Sequence, residues 1–382
     1  MTTPPKVVIA PDKFRGSLTA AQAASAMAIG VRRAYPDADI QVVPVADGGD
    51  GTIQAALTAG YNPVSVTVAG PTGQPVPAMF AHRGDTAIIE MAEASGLRRL
   101  PGSPNPRTAL TASSFGTGQL IGAALTAGAR RIVIGIGGSA STDGGTGLAR
   151  ALGIRFLDDD GQPIASGGGG LREIATIDTG ALDPRVAEAD LIIATDVDNP
   201  LAGENGAAHV YAPQKGADRD AVQLLDAGLR HLAAIIETTA GTTISGVAGT
   251  GAAGGVAATA LPLLGARIAS GSELILSLLG LEQAVPGAAL VITGEGSLDG
   301  QSLRGKAPHG VARISAIHHV PVVAIAGRVE VADAELTAAG ISRAYSLSVI
   351  EPDPARCMSD AAVLVTRLAE RACRSSPTIC CA

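Results

Sequence analysis

Short, fully apolar runs ending in glycine and acid recur along the chain, with segments of helical period between them. "KVVIAPD" is the first such run, and its unbroken apolar stretch predicts a strand covered on both faces. Thr19 followed by Gln22 has capping-box spacing. A helix is therefore predicted through Arg33, with Ala24, Met27 and Val31 on one face and Pro36 past its end. "IQVVPVADGG" predicts a second strand, giving a β-α-β unit that is right-handed if the strands are parallel. The C-terminal part repeats the alternation. "ALVITGEG" and "VPVVAIAG" read as strands around a helix "KAPHGVARISAIHH" that starts near Pro308. "RAYSLS" reads as a fifth strand, followed by a helix from about Asp360 to Arg371. Apolar strands alternating with helices predict an α/β fold with a doubly wound parallel sheet.

The middle of the chain has a different texture. Pro71, Pro75 and Pro77, then Pro101, Pro104 and Pro106, punctuate short strands such as "TAIIEMA". "RIVIGIGG" and "DLIIATD" are further strands, "RFLDDDGQP" reads as a hairpin, and "SGGGG" from Ser166 to Gly170 reads as a turn or mobile loop. The economical arrangement is one domain built from both chain ends, residues 1–62 and 288–382, with an α/β domain of residues 63–287 inserted between them.

Composition sharpens this picture. Only 2% of the 382 residues are aromatic and none is Trp, so Ala, Val, Ile and Leu must fill the core while 49 Gly let elements approach closely. A net charge of −7, with no basic stripe or stacking platform, argues against nucleic acid as a partner but not against anionic small molecules. Cys357, Cys373, Cys380 and Cys381 match no zinc spacing and no disulfide framework, which fits free thiols in a cytoplasmic protein. Val7 to Ala10 is too short for a signal segment. The uncharged stretch Val247–Ala266 is Gly- and Ala-rich and carries Pro262, so it reads as a loop feeding a buried helix rather than a membrane span. A soluble protein with no membrane contact is expected.

Every glycine- and acid-rich block follows a predicted strand: "PDKFRGS", "ADGGDGT", "GGSASTDGG", "TDVDNPLAG" and "GEGSLDG". Ligands of open α/β sheets bind beyond the carboxyl ends of strands, so these blocks predict a site. Gly135 to Ala140 satisfies a dinucleotide fingerprint. "STDGGTG" is, however, a poor first helical turn, and a nest of backbone amides for phosphate fits Gly137, Gly138 and Ser139 better. Asp196 and Asp198 read as a turn, as a Mg²⁺ ligand pair, or as a base facing a hydroxyl. Lys13 and Arg15 read either as a solvated turn or as an anion site. "GQSLRGK" from Gly300 to Lys306 nearly spells a P-loop, but Ala307 stands where that motif needs Ser or Thr.

The blocks "VVIAPDKFRGSLTA", "VPVADGGDGT", "GIGGSASTDGG", "TDVDNPLAGENGAA", "APQKGA" and "LVITGEGSLDGQSLRGKAPHGVA" resemble, in order and spacing, those of the bacterial-type (class I) glycerate kinase family, from about Lys6 to Gly327. The resemblance implies ATP-dependent phosphorylation of D-glycerate with Mg²⁺. It also implies two α/β domains, with a flavodoxin-like fold for the one formed by both chain ends. "DGQSLRGKAP" is then the family's own loop rather than a decayed P-loop. Departures occur where the family has Ser-Phe-Lys for Lys13-Phe14-Arg15, Asn for Thr142, Arg for Ser297 and Cys for Ala202.

From this resemblance and the residue types, the active site is expected in the cleft between the domains. Lys13, Arg15 and Lys306 are expected as cations, Asp196 as the base and Asp198 as the Mg²⁺ ligand. Asp47, Gly48, Gly49, Gly137, Gly138, Ser139, Asp143, Lys215, Glu295 and Asp299 are expected to bind substrate or ATP. Val197 is expected to face the core. The product expected is 2-phosphoglycerate rather than 3-phosphoglycerate, from a monomer or homodimer. The rival readings are a nicotinamide-dependent hydroxyacid dehydrogenase and a non-catalytic effector-binding protein.

Overall fold

The computed structural model describes residues 4–43, 45, 49, 51–300, 302–304 and 306–375, the Arg304 side chain excepted. Its strands, in chain order, are β1 (Lys6–Pro11), β2 (Asp39–Val42), β3 (Asn62–Ala69), β4 (Pro75–Arg83), β5 (Thr86–Glu90), β6 (Arg131–Gly135) and β7 (Arg155–Leu157). They continue as β8 (Thr176–Asp178), β9 (Asp190–Ala194), β10 (Arg267–Ala269), β11 (Leu290–Leu298), β12 (Val322–Val329) and β13 (Arg343–Ser346). The chain divides into two compact units. Unit 1 comprises Met1–Asp47, Gln54–Ala59 and Ser272–Ala382, and unit 2 comprises Gly48–Ile53 and Gly60–Gly271.

Unit 1 is a parallel sheet in the order β13-β12-β11-β1-β2. Counted within the unit this is the flavodoxin-like order 2-1-3-4-5, whose switch point lies between β1 and β11. Val7, Val8 and Ile9 of β1 are fully buried, and burying each such side chain contributes ~1.5–3 kcal/mol. The predicted capping box is present: the Thr19 side chain accepts from Gln22 N, and the helix runs Ala20–Ala34. The later boundary lies earlier than the sequence pattern placed it, at residue 271 rather than 287. The reason is packing within unit 1. Ile275 and Leu276 of the helix Gly271–Leu278 are fully buried, and Glu273 pairs with Arg313 at 2.7 Å.

Unit 2 has a mixed sheet in the order β10-β9-β6-β5-β4-β3. β5, β6, β9 and β10 are parallel, while β3, β4 and β5 pair antiparallel. The predicted hairpin forms at the end of β7, where Asp158 N donates to Gln162 O at 2.9 Å and the returning chain bridges Leu157 through Pro163, while β8 pairs antiparallel with β7 from further along the chain. The "SGGGG" run leads from a bend at Ser166–Gly167 into regular structure. Gly168–Glu173 is a 3₁₀ helix with Gly168, Gly170 and Leu171 buried, because it is wedged against the long helix Arg219–Ala240. The stretch after Val247 does feed a buried helix, Val256–Leu264. Among the described residues no helix is long and apolar enough to cross a membrane.

Candidate active site

In unit 1 the polar groups gather beyond β1 and β11, at the switch point. Asp12 N donates to Gly294 O at 2.8 Å, and the Asp12 carboxylate, 8% exposed, accepts from Lys13 N at 2.6 Å. Phe14 is buried and bridges Leu18, which anchors the block and leaves Lys13 half-buried and Arg15 exposed. A Cβ at Gly296 would stand 3.1 Å from Arg15 N, so this backbone approach favours glycine. The sequence groups Lys13 and Arg15 as equals; their difference in exposure separates them.

Glu295 lies on the same edge. It is 7% exposed, and its Oε1 is buried without a hydrogen-bond partner among the described residues. Burial pushes its carboxyl up to about 7; the Ser302 hydroxyl and Lys306 oppose the shift, while Asp12 and Asp299 add to it. Asp299 Oδ1 accepts from Ser302 N at 2.9 Å and from Ser302 Oγ at 3.1 Å, with Lys306 Nζ 3.6 Å away. Lys306 is the N-cap of the helix Ala307–Ile317, and Pro308 occupies its first turn, where a missing N–H costs little. Glu295, Asp299 and Lys306 are thus brought together.

In unit 2 the four parallel strands end in register, as Glu90, Gly135, Ala194 and Ala269. Beyond β6 the chain turns at Gly138 with φ of +71°, a left-handed conformation that glycine adopts without strain. Leu97 N donates to Gly138 O at 2.9 Å and Ala140 N to Ser95 O at 2.8 Å, so the turn is fastened to the segment after β5. The Gly137 and Gly138 backbone stays accessible, while Ser139 is 6% exposed. No helix begins at this turn. The next is Thr146–Ala151, so the fingerprint lacks the helix N-terminus on which a dinucleotide pyrophosphate would sit.

Asp143 is fully buried. Its Oδ2 accepts from Ser114 N at 2.7 Å, Ser114 Oγ at 2.8 Å, Gly147 N at 3.2 Å and Ser113 Oγ at 3.4 Å. Oδ1 accepts from Gly145 N at 3.2 Å. With both oxygens occupied, Asp143 organises the loop and offers no exposed atom to a ligand. Lys215 is 2% exposed, and its Nζ donates to Ser139 Oγ at 2.9 Å and to the Ser141 carbonyl at 2.6 Å. Burial pushes its ammonium down to about 7, and the neighbouring Asp143 opposes that shift.

Beyond β9, Asp196 and Asp198 are both exposed, and Ser270 Oγ donates to Asp196 Oδ1 at 2.8 Å. Val197 does not face the core; it is 42% exposed. Strand pairing ends at Thr195 N donating to Ala269 O, and the inward-outward alternation ends with it. Beside Asp198, Asn199 Oδ1 accepts from Tyr211 OH at 2.6 Å, and burial, then Asp198, push the phenol upward. The described residues contain no cluster of three His, Cys, Asp or Glu suited to a metal. Mg²⁺ needs only one or two carboxylates when phosphates and waters complete its shell, and exposed Asp198 fits that donor chemistry.

Glu90 is a residue that sequence reasoning missed. It is 3% exposed, and its Oε1 accepts from Gly51 N at 3.1 Å and Ile53 N at 2.7 Å, tethering the end of the "ADGGDGT" block. The available signal was an acid closing an apolar strand, "TAIIE". Within that block Asp47 and Gly48 lie outside the described residues, whereas the Gly49 carbonyl accepts from Thr52 Oγ1 at 2.7 Å.

Residues 7–376 match the model of the glycerate kinase family. A glycerate kinase of Halalkalibacterium halodurans is 46% identical over 345 residues, covering 89% of this chain and 90% of that one. A glycerate 2-kinase of Escherichia coli is 45% identical over 325 residues, covering 84% and 85% respectively. A crystal structure assigned as glycerate kinase 2 of Salmonella typhimurium LT2 superposes with a TM-score of 0.84 at 40% identity, over 97% of both chains. With this similarity running through both α/β units, the chain belongs to the glycerate kinase family, a family of kinases.

Proposed function

We propose that the protein transfers a phosphoryl group from ATP to D-glycerate, with 2-phosphoglycerate as the product, in the cytoplasm. The observation that carries this reading is the accessible Gly137–Gly138 turn at the carboxyl ends of the parallel strands of unit 2, with Asp196 and Asp198 exposed on the neighbouring strand end. The glycerate 2-kinase of E. coli, similar over most of the chain, supports the choice of hydroxyl.

Phosphoryl transfer asks a protein mainly for positioning and charge neutralisation. The Gly137 and Gly138 amides serve the nucleotide phosphates as a nest. Asp196, oriented by the Ser270 hydroxyl, accepts the proton of the attacking hydroxyl. Asp198 is the carboxylate for Mg²⁺, which when bound neutralises phosphate charge. Lys13, Arg15 and Lys306, with Glu295 and Asp299, serve the anionic substrates on unit 1. The test is incubation with D-glycerate, ATP and Mg²⁺, followed by phosphorus NMR. The 2-phospho product couples its phosphorus to one proton and the 3-phospho product to two. No phosphorylated glycerate, or the triplet in place of the doublet, overturns the respective part of the proposal.

A further inference from the structure

A lysine is almost never fully buried unless it is paired, because taking its charge out of water costs several kcal/mol. Lys215 is buried all the same, and among the described residues no ion pair holds it there. The protein gives its ammonium two acceptors, the Ser139 hydroxyl and the Ser141 carbonyl. Asp143, the charged group facing it, has both carboxylate oxygens engaged by donors of the segments Ser113–Ser114 and Gly145–Gly147. A methionine would fill the same space without the cost of desolvation, so packing alone does not account for a lysine here. Its two acceptors bracket Ala140, directly after the glycine turn, and the turn's other fastenings are backbone bonds from Leu97 and Ala140.

We infer that Lys215 is the positioning residue of this turn, tying Ser139 to Ser141 from behind and placing positive charge beneath a nucleotide phosphate held by the Gly137 and Gly138 amides. It does not touch the ligand; it acts through the loop and through its field. The inference rests on the kinase reading for the identity of the anion. A bound phosphate favours the charged ammonium, which burial disfavours against the opposing pull of Asp143, so nucleotide binding above neutral pH draws a proton onto Lys215.

Kinetics of Lys215→Met test this. The KM for MgATP should rise roughly three- to thirty-fold, the range for a residue that acts without touching the ligand, while the KM for D-glycerate changes little. A KM for MgATP within twofold of the wild-type value overturns the inference. If the variant fails to fold, calorimetry of MgATP binding to the wild-type protein at pH 8, in buffers of different ionisation enthalpy, asks the same question. Net proton uptake is expected, and its absence, or absence of MgATP binding, overturns the inference. Wild-type protein that binds MgATP with proton uptake yet leaves D-glycerate untouched would sink the kinase reading alone.

Discussion

Removing the Asp143 carboxylate should injure unit 2 in a graded way that its hydrogen bonds define. Asp143→Ala strips acceptors from three buried backbone N–H groups, those of Ser114, Gly145 and Gly147, besides the Ser113 and Ser114 hydroxyls. The hydroxyls can rotate toward other partners, but the N–H groups cannot. At ~1–3 kcal/mol for each unsatisfied buried group, the loss is roughly 3–6 kcal/mol after partial relaxation. Asp143→Asn behaves differently because the bonds are unequally shared. An amide whose oxygen takes the Oδ2 position keeps four acceptor contacts and loses the one from Gly145, for roughly 1–3 kcal/mol. Thermal unfolding reads the difference, at about 2–4 °C per kcal/mol for a unit of this size. Hydrogen exchange in the helix Phe115–Thr126, whose N-terminus these bonds fasten, locates it. Equal effects of the two substitutions, or a shift below about 2 °C for alanine, would refute the assignment of Asp143 as the organiser of this loop.

Asp196→Asn should lower kcat by ~10²–10⁴ with the KM for D-glycerate little changed, whereas Asp198→Asn should weaken the Mg²⁺ dependence and be partly rescued by excess metal. Near-wild-type kcat in Asp196→Asn removes that residue as the base. The Glu295 carboxyl, raised to about 7 in the folded protein, binds more protons folded than unfolded between about pH 4.5 and 7, so its contribution to stability falls as pH rises through that window. Glu295→Gln should therefore raise the melting temperature at pH 8 and leave it unchanged at pH 4; a gain of the same size at both would show that charge is not the cause. Glu90→Ala should leave the Gly51 and Ile53 amides without acceptors and speed hydrogen exchange at the start of the helix Thr52–Thr58, while Glu90→Gln retains protection. Unaltered exchange in both would mean that the tether contributes nothing.

Local rules were enough to read much of this protein from its residues. The periodicity of "KVVIAPD" and "ALVITGEG", the Thr19–Gln22 cap and the glycine-acid blocks after strands need only near neighbours to act, and they yielded the α/β class and the strand ends that carry polar residues. The order of blocks yielded the family. What local rules do not carry is the partner of a side chain distant in sequence. Asp143 and Lys215 read as ligand contacts because acid and ammonium are exposed by default, yet the fold buries both by wrapping Ser113–Ser114 and Ser139–Ser141 around them. Glu90 passed as the end of a strand because its two N–H donors lie nearly forty residues earlier. Burial and hydrogen-bond satisfaction are sums over the whole packed neighbourhood, so only the tertiary structure decided which polar residues stay exposed at the strand ends and which are buried holding the loops in place.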